Sequence, residues 1–161
     1  LGKTVPDNRL NEIKKLTTAT IHELRKTVWL INKQSATVEE FVIKLREYIP
    51  AATTPALQLT ATGNLQILIP SVKANELFRI IQEAVNNAIK HAEATQLQIA
   101  LHVTDRVLSV KIIDDGVGFD TQSPTGGFGL RNINKRIKSV NGTVSINSTP
   151  AGTTLQLFIP V

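Results

Sequence analysis

The sequence predicts an α+β chain: a two-layer sandwich in which a mixed sheet carries helices on one face, preceded by a helical leader. Three observations predict it. Residues 8–49 repeat apolar positions every three or four residues, residues 57–159 hold short alternating runs separated by turn residues, and one long amphipathic stretch, 72–92, lies among those runs. Strands that neighbour each other mostly through tight turns and have apolar alternates need helical cover on one face only.

Composition bounds the function. The 161 residues suit one domain with an additional piece, and 42% hydrophobic residues suffice for a core. The absence of cysteine excludes a disulfide framework, a thiolate zinc site and a cysteine nucleophile, and three scattered histidines (His22, His91, His102) do not make a His-only metal site. No apolar stretch approaches the roughly 18–20 residues of a membrane span, and no signal peptide opens the chain, so a cytoplasmic, non-inserted piece is expected. It opens at Leu1 and contains no methionine, as a fragment of a longer protein would. The net charge of +5 is spread without a basic run, and aromatics are 4% of residues. That pattern argues against nucleic acid and suits a polyanionic small molecule.

The elements follow in order. A helix over 8–34 carries Leu10, Ile13, Thr17, Ile21, Leu24, Val28 and Ile31 in a narrow seam that calls for a bundle partner, either a second copy or a missing segment. A shorter helix over 37–49 buries Val38, Phe41, Val42, Leu45 and Ile49 and stops at Pro50. Runs 57–60 and 65–69 flank Ala61-Thr62-Gly63-Asn64 and read as a hairpin-like pair. Pro70-Ser71 opens the helix over 72–92, with Ser71 as its N-cap. Runs 96–103 and 107–113 are strands joined at Thr104-Asp105-Arg106, and the glycine- and proline-rich stretch 114–128 is a loop. A helix over 130–140 ends at Asn141-Gly142, and strands 143–147 and 153–159 close the chain around Pro150-Ala151-Gly152. The expected division is a helical leader, 1–50, and an α/β domain, 51–161.

Three segments carry chemistry. At about 100° per residue, Leu77, Phe78, Ile81, Ala84, Val85, Ala88 and Ile89 share one arc of the long helix, while Glu83, Asn87, Lys90 and His91 share another. The polar arc is either a solvated face or a site where a side-chain oxygen meets Mg²⁺ and an ammonium meets phosphate. Asp114-Asp115-Gly116-Val117-Gly118 follows an apolar strand, so it is either a simple turn or an acceptor at the lip of the sheet beside a ligand's path. Gly126-Gly127-Phe128-Gly129-Leu130 feeds a helix whose N-terminal N–H groups suit phosphate, or is merely a flexible loop. Neither the dinucleotide fingerprint nor the P-loop pattern is present.

The order of these segments, E-x-x-x-N on a helix, D-x-G-x-G after a strand, G-x-G-L before a helix and then Gly152-Thr153, resembles the GHKL or Bergerat-fold ATP-binding family of gyrases, mismatch-repair ATPases, chaperones and histidine kinases. The resemblance covers residues 57–161. Gln82 to Ala92 (QEAVNNAIKHA) is similar to the N box of sensor histidine kinases of the nitrate-sensor type, and Gly127-Phe128-Gly129-Leu130 leading to Lys135-Arg136 to their second glycine box. The leader, with Ile21-His22-Glu23-Leu24-Arg25 and Trp29, resembles the second helix of their dimerisation domain.

The resemblance implies roles. Asn87 would offer an oxygen to Mg²⁺, Lys90 would contact phosphate and His91 would line the nucleotide pocket. Asp114 would accept from the adenine amino group, with Thr153 in the same polar cluster. Gly116 and Gly118 would shape the base pocket, and Gly127, Gly129 and Leu130 would bring backbone to the phosphates. Glu83 matches the carboxylate that activates water in hydrolysing relatives, although a kinase's nucleophile is an imidazole. Phe128 stands where histidine is usual, and Ile133 where methionine is common. The implied function is transfer of the γ-phosphoryl group of Mg-ATP to a histidine of a missing dimerisation helix, for relay to a response regulator receiver domain. A homodimer through the helical bundle is implied as well. A GHKL ATPase, an anti-sigma-type serine kinase and a degenerate interaction module are the rival readings. His22-Glu23-Leu24-Arg25 also resembles a phosphoacceptor box, but Lys26-Thr27-Val28 follows in place of Thr-Pro-Leu, and no full second bundle helix fits before Asn87. A solvated helix position suits His22 better.

Overall fold

The computed structural model describes residues 33–49, 55–119 and 128–161. The helix expected over 8–34, with His22 and Trp29, lies outside the described residues except at Lys33 and Gln34, which are not helical.

The described chain begins with a strand the sequence did not announce, β1 (Ser35–Thr37). Thr37 then caps α1 (Val38–Tyr48): its hydroxyl accepts from the Glu40 amide at 3.1 Å, and the Glu40 carboxylate accepts from the Thr37 amide at 3.2 Å. This reciprocal box satisfies two of the helix's orphan donors. The Lys33 ammonium, 2.7 Å away, and the Thr37 amide hold the Glu40 carboxyl below its ordinary range. α1 ends where Ile49, the residue before Pro50, is forced extended (φ −94°, ψ 105°).

β2 (Ala56–Gly63) and β3 (Leu68–Pro70) do not form the expected hairpin. β3 pairs antiparallel with β1, whereas β2 runs parallel to β4 (Gln96–Val103) in register Leu57↔Leu97 through Gly63↔Val103. The turn at Leu65-Gln66 is spent on α1 instead, where the Val38 and Glu39 amides donate to the carbonyls of Ile67 and Leu65. Between the parallel strands runs α2 (Ser71–Lys90), the crossover that a parallel pair requires. Ser71 is not its N-cap. It is the first helical residue, and its hydroxyl donates to the Lys33 carbonyl at 2.5 Å, so the N-cap position falls to Pro70 without a side-chain cap.

The remaining elements are β5 (Val107–Asp114), α3 (Phe128–Ser139), β6 (Thr143–Thr149) and β7 (Gly152–Pro160). α3 starts two residues before the expected 130, so Gly129 belongs to its first turn. The five-stranded sheet has order β2-β4-β5-β7-β6, antiparallel at every pairing but the first.

The sheet's inner face sets Leu97, Ile99, Leu101, Val103, Leu108, Val110, Ile112, Leu155, Leu157 and Ile159 against α2 (Leu77, Phe78, Ile81, Val85) and α3 (Ile133, Ile137). Phe41, Val42 and Leu45 of α1 join the same core, with the Phe41 and Phe78 rings edge-on at 6.5 Å. The other alternates of the central strands, Gln96, Gln98, His102 and Lys111, are exposed, so the described helices cover one face. The outcome is a mixed α/β sandwich with a mixed sheet, as expected.

Candidate functional site

The site is built where α2 ends and β5 runs out. The last turn of α2 closes on Asn87, whose carbonyl accepts from the His91 and Ala92 amides (2.9 and 3.2 Å). The Ala92 carbonyl, now pointing past the helix, accepts from Val117 at 2.8 Å, which pins the turn after β5 to the end of α2. Gly116, buried between them, has no room for a side chain: a Cβ there would lie 2.5 Å from the Ala92 Cβ and nearer still to its carbonyl oxygen. Gly118 has φ +65° and faces the Thr149 carbonyl, so both its conformation and its surroundings require glycine.

Asp114, half-buried at the lip of the sheet, is held from two sides. Its Oδ1 accepts from the Gly116 amide at 3.0 Å and from the Thr153 amide of β7 at 3.2 Å. Two backbone donors on one oxygen fix the carboxylate's orientation. The Thr153 hydroxyl does not reach Asp114 in this arrangement. It pairs with Ser148 Oγ of β6 at 3.0 Å, and Ser148 Oγ in turn accepts from the Phe119 amide at 2.9 Å.

The neighbouring Asp115 faces the other way. It accepts from the amides of Thr95 and Gln96, both at 2.8 Å, and from the Thr95 hydroxyl at 2.6 Å. These bonds, the Thr95 hydroxyl first, hold its carboxyl below the ordinary aspartate range. Two adjacent aspartates thus divide the work: Asp115 ties the start of β4 to the end of β5, and Asp114 takes its two backbone bonds on Oδ1.

On α2 the expected polar arc is present. Glu83 and Asn87 are half-buried, and Lys90 and His91 are exposed at the helix end. Glu83 stands against the first turn of α3, where its carboxylate fills the space a Cβ on Gly129 would take. Leu130, beside Gly129, packs partly into the core. Gly127 and Gly126 lie outside the described residues, as does the side chain of Phe128. Among the described residues no three His, Cys, Asp or Glu side chains gather as a metal cage.

Sequence reasoning missed Ser148, Thr95 and the role of Asp115, since hydroxyls and a second aspartate near turns look like ordinary turn residues. It also missed a cleft of about 290 Å³ on the neighbouring stripe of α2, lined by Tyr48 of α1, Arg79, Gln82, Glu83 and Asn86 of α2, and Asn132, Ile133 and Arg136 of α3. No helix among the described residues is long and apolar enough to cross a membrane.

Comparison with known proteins agrees with this fold. Residues 72–161 match the HATPase_c family, described as histidine kinase-, DNA gyrase B- and HSP90-like ATPases. An uncharacterised sensor-like histidine kinase of Chloroflexus aurantiacus is 33% identical over 164 aligned positions, which take in 94% of this chain and 28% of that protein. Histidine kinase AdeS of Acinetobacter baumannii has a similar structure at a TM-score of 0.60 and 20% identity, over 99% of this chain and 86% of that one. The catalytic domain of histidine kinase ThkA is similar at a TM-score of 0.61 and 17% identity, over 78% and 94%. The two structural likenesses speak for the fold, and the family match extends from the start of α2 through the Asp114 turn to the last strand. The chain belongs to the histidine kinase-, DNA gyrase B- and HSP90-like ATPase family.

Proposed function

We propose that the chain is the ATP-binding catalytic portion of a two-component sensor histidine kinase, of the nitrate-sensor-like subfamily. The observation that carries the reading is the junction at Asp114. A carboxylate with one oxygen fixed by two backbone amides stands beside a glycine turn hydrogen-bonded to the Asn87 end of α2. Such a junction recognises an adenine amino group at Asp114 Oδ2 and presents Asn87 and Lys90 toward the Mg²⁺-phosphate end. Gly116 and Gly118 line the base side, and Gly127, Gly129 and Leu130 supply backbone to the phosphates.

In the proposed reaction a lone pair on an imidazole nitrogen of the acceptor forms a bond to the γ-phosphorus as the bond to the bridging oxygen breaks. ADP leaves with that electron pair, and the acceptor's proton goes to a base, for which Glu83 is this chain's candidate. The protein's part is positioning and neutralisation of charge. The acceptor belongs to a helix of the dimerisation domain, the parent protein is a homodimer acting in the cytoplasm, and the phosphohistidine passes its group to an aspartate of a response regulator receiver domain. Because the chain spans 28% of its sensor-kinase relative, these partners belong to the longer protein.

Calorimetric titration with ATP and Mg²⁺ tests the pocket: saturable binding by this chain that is lost in Asp114→Asn is the expected result. Adding a separate acceptor-helix fragment of the parent protein should then yield phosphohistidine, and its consistent absence would sink the kinase reading. The contact between Glu83 and Gly129 also favours a hydrolytic reading, because it holds a carboxylate at the start of α3. Steady phosphate release that disappears in Glu83→Gln would place the chain with the hydrolysing members instead.

A further inference from the structure

We propose that the cleft between the end of α1, α2 and α3 receives an acidic side chain of the polypeptide that accepts the phosphoryl group. The inference rests on the kinase reading and adds to it a place and a chemistry for the second substrate.

Its position comes from helix geometry. With about 100° per residue, Arg79, Gln82 and Asn86 form a stripe of α2 next to the one holding Asn87, and Glu83 lies on the border between them. An occupant of the cleft therefore meets Glu83 from the side away from Asn87, a side open to a second substrate on the proposed reading.

The chemistry comes from the lining. Two guanidinium groups enter from different helices, accompanied by three amide side chains, Gln82, Asn86 and Asn132, against a single lining carboxylate, Glu83. Neither arginine is exhausted by its present partner. Arg136 Nη1 donates to Glu76 at 2.8 Å, and Arg79 Nη1 makes a long bond of 3.3 Å to the neutral Gln82. Among the described residues no carboxylate lies within ion-pair distance of Arg79. Each guanidinium carries five N–H donors in a fork matched to a carboxylate, so donors remain on both sides of the cleft.

Size favours a side chain over a second nucleotide. About 290 Å³ lies at the lower end of small-ligand pockets and takes one side chain with its waters. The three amides can read the peptide groups that flank such a side chain.

The test uses the whole chain, isotopically labelled, and two alanine-based helical peptides that differ only in one central glutamate or glutamine. Titration followed by nuclear magnetic resonance should show the glutamate peptide shifting the Arg79 Nε–H and the Asn86 and Asn132 side-chain amides saturably. The glutamine peptide should not. Arg79→Gln should weaken the glutamate peptide about tenfold while ATP titrates as before, which also shows that the variant is folded. Equal binding of the two peptides, or no saturable shift at the cleft, would overturn the proposal without a variant being needed. Failure of ATP to bind alongside a working cleft would remove the kinase reading, and with it the acceptor's identity, but not the acid site.

Discussion

The Asp114 turn and the α2–α3 cleft are neighbours built by opposite means. The turn is made of backbone: amides of Gly116, Val117, Phe119 and Thr153 are each assigned an acceptor, and two glycines admit contacts that a side chain would block. The cleft is made of long side chains, with one ion pair at its edge and one weak bond within α2. Backbone donors that are already aimed cost little reorganisation when a ligand arrives, whereas arginines must lose rotamer freedom to grip one. On the proposed reading, the difference teaches that the base would meet a surface prepared in advance, whereas the proposed second-substrate side would adapt to its occupant. Substitutions should therefore hurt stability at the turn and spare it at the cleft.

The largest expected effect is that of Gly116→Ala. The new methyl would meet the Ala92 carbonyl and Cβ, so either the Val117–Ala92 bond breaks or α2 shifts. We expect a loss of about 2–3 kcal/mol in a urea denaturation series, with ATP binding abolished. Arg79→Gln in the cleft should change the same midpoint by no more than about 0.5 kcal/mol, since it removes one long bond from an exposed side chain. Equal losses at both positions would erase the contrast.

Next comes Asp114. Alanine there strands the Gly116 and Thr153 amides and should cost about 1–3 kcal/mol, while asparagine keeps an acceptor and should cost clearly less. Both should lose ATP by calorimetry, so the pair separates the scaffold role of Oδ1 from the ligand role proposed for Oδ2.

Smaller again is Ser148→Ala. The Phe119 amide loses its acceptor, and about 0.5–1.5 kcal/mol of local protection should vanish from that amide in hydrogen exchange. Ser148→Thr should restore it. Exchange at Phe119 that ignores the substitution would mean the hydroxyl does not hold the turn.

What the sequence made legible follows from the range of each interaction. Helices α1, α2 and α3 and the antiparallel strands β4 to β7 were readable because apolar period and turn residues act within a few positions. The partner of β2 was not readable: Ala61-Thr62-Gly63-Asn64 looks like a local turn, but its strand pairs with β4 across the whole of α2. Ser71 misled in the same way, since its hydroxyl answers Lys33 from a distant part of the chain. In the candidate site Asp114, Gly116 and Gly118 stood out as a motif, while Ser148 and Thr95 act only once sheet register brings them to the turn.

The finest test of the turn's backbone design is Asp115, whose three bonds close the far side of the same corner. An aspartate folded into such bonds has its pKa lowered relative to the unfolded chain, where an aspartate titrates at about 3.9. A lowered folded pKa means that the unfolded state binds the proton more readily, so stability is lost as pH falls. The contribution is fully present above the unfolded value and disappears as pH passes down through the folded one. Asp115→Asn should behave almost like the parent at pH 7, because the amide oxygen can still accept from Thr95 and Gln96. Between about pH 4 and pH 2 its urea midpoint should fall less steeply than the parent's. Identical slopes over that window would show that the bonds at Thr95 and Gln96 do not discriminate carboxylate from acid. The corner would then be held by the sheet register and the glycine contacts alone.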